Sequence, residues 1–377
     1  MYITGIGRTK FGMLNNTIAQ LASEAMHKAL SDGKMSVDDI DAIYVSNFLG
    51  GPLEKQLHLN SLISGLFSER KIPIIRIETA CASGASALNQ AIMSLNNFKN
   101  VLVVGVEKMT NATNKKNTEN LAMAGDRELD QKKGLIFPAS YALIAQQHMI
   151  KYGTTHEDLE LVSFKNHKNA NLNPLAHFYY KQVTMDMIKN SPQISSPLNL
   201  FDCSPISDGA AAVIVSRDKK SDRDIELLGS SLATDCISIS QRKDITSFPA
   251  AKIAAKEAFR QAKITPKDLD IAEVHDCFTI AELIAMEDIG LCEPGESKDL
   301  IRNGRTSLDG DIPINTDGGL KADGHPVGAS GLAQIHEIVL QLRNEAGKRQ
   351  VDGAKIGLAH SIGGVGGTAA IHILKKV

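Results

Sequence analysis

LASEAMHKALSDGKMSVDDIDAIYV (21–45) decides the fold, because it aligns without a gap with AAKIAAKEAFRQAKITPKDLDIAEV (250–274) later in the same chain. Each stretch predicts an Ala-rich helix, a turn that begins with Ser or Thr, and an Asp-X-Asp step into a strand. Further along, CASGASAL (81–88) matches HPVGASGL (325–332). The repeated order of these matches indicates that the chain contains the same unit twice.

A third match, GAAAVIV (209–215) with GTAAIHI (367–373), keeps the same order. We therefore predict two homologous α/β halves, 1–224 and 225–377, in which β-rich runs alternate with helices in layers and the strands are parallel. The first half is longer by a polar segment of about 110–196. We interpret this segment as an inserted loop domain that caps the site or binds substrate, since a structureless linker of that length is uncommon.

Composition limits the classes of function. The 377 residues are 43% hydrophobic and 22% charged, with a formal net charge of −2, which gives no electrostatic argument for nucleic acid or an anionic membrane as a partner. The N-terminal sequence lacks the order of a signal peptide, and no apolar run approaches membrane-spanning length. Five scattered cysteines do not form a disulfide pattern. We expect a cytoplasmic protein.

Cys81 is the strongest candidate for chemistry. It follows a predicted buried strand, IPIIRIE (72–78), and precedes a predicted helix. The N-terminal end of a helix favours negative charge, so a cysteine there can act as a thiolate nucleophile. The alternative interpretation is that Cys81 is a small core residue. By contrast, we interpret Cys203, Cys236 and Cys292 as structural.

His325 lies in DGGLKADGHPVGASGL (317–332), and the repeat makes it the counterpart of Cys81. If the two halves pack about a pseudo-two-fold axis, both helix N-termini point to one place. A thiol and an imidazole would then meet there, as Cys/His catalysis requires. The alternative for His325 is a solvated histidine in a surface loop.

His275-Asp276-Cys277 ends the predicted strand DIAEV, so His275 and Cys277 are predicted to point into the same cleft. Zinc binding is an alternative role for His275 and Cys277, since His and Cys are common zinc ligands. The chain has no CxxC or HxxxH companions, however, and we predict no metal. GLAHSIGGVGG (357–367) predicts a strand, a turn and a strand whose free N–H groups suit an oxyanion hole. A phosphate loop is the weaker alternative, since neither phosphate-binding pattern fits.

The chain resembles the thiolase family, in particular the sterol-carrier-protein-type thiolases and the archaeal acetyl-CoA C-acetyltransferases. The resemblance runs from end to end. Five motifs in order carry it: ETACASGASAL (78–88), KNHKNANLNP (165–174), VHDCFTIAEL (274–283), GLKADGHPVGASG (319–331) and AHSIGGVGG (359–367). The fold implied is a five-layer αβαβα sandwich of two duplicated halves, with a loop domain inserted in the first half.

The resemblance also implies roles for the candidate residues. Cys81 would accept the acyl group, and His325 would activate it and help to stabilise the enolate. His275 would replace the Asn that elsewhere holds an oxyanion-hole water. The backbone N–H groups of Cys81 and Gly363 would form the other oxyanion hole, and Ser204 would contact the pantetheine arm of CoA.

The sequence departs from the biosynthetic bacterial thiolases at their second cysteine, in a C-x-G motif near the C-terminus. Ser361 aligns with that cysteine, and relatives of the present branch usually carry Asn there. A serine hydroxyl is too weak an acid to move the α-proton alone. The sterol-carrier-type branch has its cysteine in the HDCF motif instead, which is Cys277 here, and His360 is the next candidate for proton transfer.

The implied activity is acyl-CoA C-acyl transfer: Claisen condensation of acetyl-CoA, or thiolysis of 3-oxoacyl-CoA, through an acyl-cysteine. CoA is a substrate, and no cofactor is implied. We expect a homodimer or homotetramer, with an accessory protein of the archaeal-type thiolase complexes as a further partner. The alternatives are another condensing enzyme of the superfamily and a non-catalytic scaffold or acyl-CoA-binding subunit. The scaffold is expected to lose Cys81, Cys277 or His325, and this chain keeps all three.

Overall fold

The computed structural model describes residues 1–67 and 71–377. Within these ranges the strands are β1 Tyr2–Arg8, β2 Ala42–Ser46, β3 Ile74–Ile77, β4 Asn100–Glu107, β5 Gln193–Ser195, β6 Leu198–Asn199, β7 Gly209–Ser216, β8 Ile225–Thr234, β9 Ile271–Glu273, β10 Ile356–Gly363 and β11 Thr368–Lys376. The α-helices are α1 Ile18–Asp32, α2 Leu59–Ser64, α3 Ser83–Ser94, α4 Asn114–Leu121, α5 Phe137–Tyr152, α6 His156–Ala170, α7 Met185–Lys189, α8 Pro249–Ala262, α9 Thr279–Asp288, α10 Ser297–Arg302, α11 Gly319–Ala322 and α12 Val327–Arg343.

The central sheet displays the duplication. Its nine strands run β3-β2-β4-β7-β1-β8-β11-β10-β9, so that β1, β7, β4 and β2 of the first half mirror β8, β11, β10 and β9 of the second. Ile314 forms a parallel bridge with Ala272 of β9, in the position that β3 takes beside β2. The halves join where β1 pairs with β8 over two residue pairs only.

The prediction of parallel strands is wrong for part of this sheet. β2 is parallel to β3 and β4, and β9 is parallel to β10, but β7 and β11 are antiparallel to their neighbours. For β11 the reason is connectivity: β10 reaches β11 through a four-residue turn, and a tight turn can join only antiparallel strands.

The helices form layers because each one packs its apolar face against the strands. α1 packs on the outer face of the first half and α8 on that of the second, while α3 and α12 lie between the two sets of strands. α1 begins at a capping box, in which the Thr17 hydroxyl accepts a hydrogen bond from the Gln20 N–H and the Gln20 side chain accepts one from the Thr17 N–H. The order is α, β, α, β, α, and the predicted five-layer sandwich is confirmed.

Small residues let α3 and α12 approach closely in the middle layer. A Cβ atom added to Gly331 of α12 would lie 2.6 Å from the backbone nitrogen of Ala85, and one added to Gly84 of α3 would lie 3.0 Å from the carbonyl oxygen of Gly328. Larger side chains would push the helices apart. This contact brings the two helix N-termini together at the centre of the molecule.

The longer first half carries the inserted segment between β4 and β7, where α4 to α7 lie. α5 packs against α9 of the second half, so the insertion spans both halves. No helix in residues 1–67 and 71–377 has the length and apolar character needed to cross a membrane.

Candidate active site

Cys81 lies in the turn between β3 and α3, two residues before the helix begins, as predicted. The preceding residue, Ala80, has φ +52°, a left-handed conformation that few non-glycine residues adopt. The turn is held by the Thr79 N–H, which donates to the Ser83 hydroxyl at 2.9 Å. This sharp turn leaves Cys81 buried, at 8% exposure, with its sulfur in a cavity.

His325 occupies the equivalent place in the second half, two residues before α12, after Gly324 with φ +116°. Its Nδ1 lies 2.7 Å from the Ser330 hydroxyl, which donates its own proton to the Pro326 carbonyl at 3.0 Å. Because that proton is used, Nδ1 must be the donor to Ser330 in the neutral ring. The Nε2 lone pair is therefore free to accept a proton.

His275, Asp276 and Cys277 connect β9 to α9. The Asp276 carboxylate accepts hydrogen bonds from the N–H groups of Leu320 and Lys321, at 2.6 and 3.3 Å, and from the Asn166 side chain at 2.7 Å. These bonds fix the loop of His275 and Cys277 against the loop that carries His325. They also give a structural role to Asn166 of the KNHKN motif.

The structure brings three of the predicted site residues together. One ligand-type atom each from Cys81, His275 and His325 lies within 4.8 Å of the other two, and the two imidazole rings are perpendicular with centroids 5.3 Å apart. Neither ring nitrogen of His275 has a hydrogen-bond partner among the described residues. The His275 backbone N–H donates to Nδ1 of His360 at 3.3 Å.

A mostly apolar cavity of about 140 Å³ lies in front of this cluster. It brings together Cys81, Cys277, His325 and Ser204 of the predicted residues, while His275 and Gly363 lie outside its lining. The other side chains and backbone groups that line it are Met109, Thr118, Leu121, Phe137, Pro138, Tyr141, Cys203, Pro205, Ile206, Phe278, Val327 and Gly364. Cys203 is therefore more than the structural cysteine that we predicted, because its surroundings include the cavity.

Tyr141 is a cavity residue that sequence reasoning missed. Its hydroxyl donates to the Gly364 carbonyl at 2.9 Å, and its ring stacks on Phe278 with centroids 4.5 Å apart. Burial, reinforced by the neighbouring Cys81, raises the pKa of the Cys277 thiol well above its usual value, and the Tyr141 hydroxyl beside it opposes that rise. Gly364 thus connects Tyr141 to Cys81, because its carbonyl accepts from the Tyr141 hydroxyl and its N–H contacts the Cys81 sulfur. The only sequence signal was its place in the inserted segment.

The turn at the end of β10 faces the Cys81 sulfur. A backbone hydrogen bond from Gly364 to the thiol opposes the rise of its pKa, as does the N–H of Cys81 itself. Gly363, the predicted donor, lies one residue earlier and packs against the Thr79 carbonyl, where there is no room for a Cβ. The role of Gly363 stays a prediction, and Gly364 is the glycine whose N–H contacts the sulfur.

Burial controls the protonation of the site. Desolvation, reinforced by the Glu107 carboxylate, raises the pKa of Cys81 to about 12, so the helix N-terminus does not make it a thiolate in the free protein. Desolvation lowers the pKa of His325 and His360 to about 3 each. Desolvation, with the neighbouring His325 and His360, also holds the pKa of His275 well below its usual value. The site at neutral pH consists of a thiol and neutral imidazoles, and the thiol must lose its proton during reaction.

Ser361 faces away from the cavity. Its hydroxyl donates to the Gln334 side chain on α12 at 2.8 Å, and the residue is 1% exposed. The neighbouring β10 residue, His360, points to the opposite face of the strand, towards His275, because side chains alternate along a strand. Ser361 therefore stabilises the packing of α12 on β10.

Two sequence models together match almost the whole chain. The family described as "Thiolase, N-terminal domain" matches residues 1–219, and "Thiolase C-terminal domain-like" matches residues 231–376. The chain therefore belongs to the thiolase family.

Full-length relatives agree with this assignment. The chain is 46% identical to an acetyl-CoA acetyltransferase of Methanothermobacter thermautotrophicus over 99% of both chains. It is 34% identical to sterol carrier protein 2 of Bos taurus, over the whole of this chain and 72% of that one. The solved structure of the Ltp2-ChsH2(DUF35) aldolase has a TM-score of 0.86 and 24% identity, covering 100% of this chain and 97% of that one. That structural likeness supports the fold, and the sequence relatives place the chain near both branches of the resemblance.

Proposed function

We propose that this thiolase is an acetyl-CoA C-acetyltransferase that works through an acyl group on Cys81. The observation that carries the proposal is the convergence of Cys81, His325 and Cys277 on one apolar cavity. The acetyltransferase name of the 46% identical archaeal relative supports the acetyl group as the unit transferred. The volume of about 140 Å³ suits a short acyl chain.

In the first step the Cys81 sulfur attacks the thioester carbonyl while Nε2 of His325 takes the thiol proton. The carbonyl oxygen gains negative charge, which the backbone N–H groups of Cys81 and of Gly364 or Gly363 stabilise. The C–S bond to CoA then breaks, and His325 returns the proton to the departing CoA thiolate. Because Cys81 starts as a thiol and His325 as a neutral imidazole, the proton that Cys81 loses is the one that CoA receives.

In the second step Nε2 of His325, neutral again after the first step, takes the thiol proton of Cys277, and the Cys277 thiolate, which we propose to be the base, removes the α-proton of a second acetyl-CoA. The enolate oxygen receives hydrogen bonds from the unpartnered N–H of His275 and from the now protonated His325. The enolate carbon attacks the acyl carbon on Cys81, and the Cys81 thiolate leaves and takes back the proton that His325 holds. The reverse sequence is thiolysis of a 3-oxoacyl-CoA, with CoA as co-substrate.

Binding and assembly complete the proposal. Ser204, which lines the cavity, contacts the pantetheine arm of CoA. The chain consists of two halves, 1–224 and 225–377, and the loop domain 110–196 of the first half closes over the bound CoA. α4 and α5 of that segment already supply Leu121 and Tyr141 to the lining.

Turnover needs no metal or redox cofactor. The protein acts in the cytoplasm as a homodimer or homotetramer, with an accessory protein of the thiolase complexes as partner, and without nucleic acid or membrane.

The test is the absorbance of the acetoacetyl-CoA enolate with and without free CoA. A CoA-dependent loss of absorbance that disappears in Cys81→Ala and persists in Cys236→Ala supports the proposal. A loss of absorbance without CoA, or one that survives Cys81→Ala, contradicts it.

A further inference from the structure

Cys81, His275 and His325 form a cluster of three side chains that can each offer a ligand atom to a metal ion. Its sulfur and two imidazole nitrogens lie within 4.8 Å of one another, and all three residues are at least nine-tenths buried. Thiolate and neutral imidazole are the preferred ligands of zinc and of other soft divalent cations. An Asn at position 275 would leave only two such ligands.

Unpartnered nitrogens point to a missing ligand. Nε2 of His325 and both ring nitrogens of His275 have no hydrogen-bond partner in the part of the chain that the structure describes, although they are buried. Leaving a buried polar atom unpaired destabilises the folded protein. The bound substrate satisfies some of these atoms during turnover, but in the free protein a cation would satisfy one nitrogen of each ring.

The surroundings of the cluster already resemble those of a metal site. The Nδ1–H of His325 donates to the Ser330 hydroxyl, which orients the ring and leaves Nε2 free, as groups around zinc-bound histidines usually do. The Asp276 carboxylate does not compete for the cation, because its oxygens already accept three hydrogen bonds. A tetrahedral zinc ion has bonds of about 2.3 Å to sulfur and 2.0–2.1 Å to nitrogen. Ligand atoms within 4.8 Å of one another can reach this geometry by side-chain movements of roughly 1 Å.

We propose that Cys81, His275 and His325 bind a soft divalent cation such as Zn²⁺, which reversibly inhibits the enzyme by occupying its nucleophile. The cation is an inhibitor and takes no part in turnover. On binding, the S–H bond of Cys81 breaks, a metal–sulfur bond forms, and the proton passes to solvent. Water from the cavity, which Cys81 and His325 line, supplies the fourth ligand.

The direct test titrates chelator-treated protein with Co²⁺ and Zn²⁺ in the absence of CoA. The wild type should bind one cation per chain at this site, with a cobalt–thiolate charge-transfer band. His275→Asn should weaken binding by about 100-fold or more, since even residues behind metal ligands contribute 10–100-fold. Cys292→Ser, a half-buried cysteine outside the cluster, is the matched control and should bind normally.

A second measurement on the wild-type chain keeps the test decisive if His275→Asn does not fold. Zn²⁺ should protect the Cys81 peptide from iodoacetamide while the Cys292 peptide is still alkylated, and EDTA should reverse the protection. Equal cation binding by the wild type and His275→Asn, or no protection of Cys81, would overturn the proposal. Neither readout needs turnover, so a protein that binds the cation but is not acetylated would refute only the proposed function.

Discussion

The protonation state of Cys81 in the free protein gives a quantitative prediction for its reactivity. Burial holds the pKa of the thiol at about 12 and that of His325 at about 3, so neither group titrates between pH 5 and 9. Alkylation by iodoacetamide requires the thiolate. The rate constant for Cys81 should therefore rise about tenfold per pH unit over this range, without a plateau.

The magnitude follows from the same shift. Relative to an ordinary thiol with a pKa of 9.0, the fraction of Cys81 present as thiolate is lower by roughly 10³ at neutral pH. A thiolate of higher pKa is intrinsically more nucleophilic, with a Brønsted coefficient of about 0.4–0.5, which returns a factor of roughly 15–30. Alkylation of Cys81 should thus be about 30- to 60-fold slower than that of a small peptide thiol.

The assay maps alkylated peptides by mass spectrometry at each pH, for the wild type and for His325→Ala. In the free protein His325→Ala should leave the pH slope at Cys81 unchanged, because the neutral imidazole does not hold the thiol proton. The same variant should slow acetylation of Cys81 by acetyl-CoA by about 10²–10⁴-fold, as expected for a lost general base. A flat profile from pH 5 to 9 that becomes steep in His325→Ala would instead show that Cys81 and His325 form a thiolate–imidazolium pair in the free protein.

Further predictions concern the α-proton, the tyrosine and the assembly. Cys277→Ala should still be acetylated at Cys81 but should lose condensation and thiolysis by about 10²–10⁴-fold in single-turnover assays. Ser361→Ala should change these rates little and lower stability by about 1 kcal/mol, because its hydroxyl bonds α12 and not the cavity; the reverse ranking of the two variants would make Cys277 structural. Tyr141→Phe should slow deuterium exchange into the methyl group of acetyl-CoA by about 5- to 10-fold, the value of one hydrogen bond. The control Tyr44→Phe should exchange at the wild-type rate. Equal rates for Tyr141→Phe and the wild type would exclude a role for the Tyr141 hydroxyl. Light scattering at micromolar concentration should give two or four times 40.6 kDa, and the mass of one chain would count against the predicted assembly.

The fold could be predicted because its determinants are repeated. The matched stretches 21–45 and 250–274 fold as α1 with β2 and as α8 with β9, in mirrored places. The antiparallel strands were missed, because strand direction depends on connections, and the apolar pattern of β7 or β11 is the same in either direction. The short glycine-rich turn after β10 is a sequence feature that indicates an antiparallel pair there.

The site could be predicted in part, for physical reasons of the same kind. Symmetry placed His325 opposite Cys81, and the structure brings both into one cluster. The protonation state could not be predicted, because the effect of the helix end is local whereas burial depends on the whole fold. Tyr141 and Gly364 were missed because their contact with each other joins residues more than two hundred positions apart.

Transfer of the acyl group to Cys81 is tested by the intact mass of the protein after incubation with acetyl-CoA, followed by peptide mapping. We expect one acetyl group per chain, on the peptide that contains Cys81, in the wild type and in Cys277→Ala, and none in Cys81→Ala. An acetyl group on the peptide of Cys277 or Cys203, or one that persists in Cys81→Ala, would show that Cys81 is not the nucleophile.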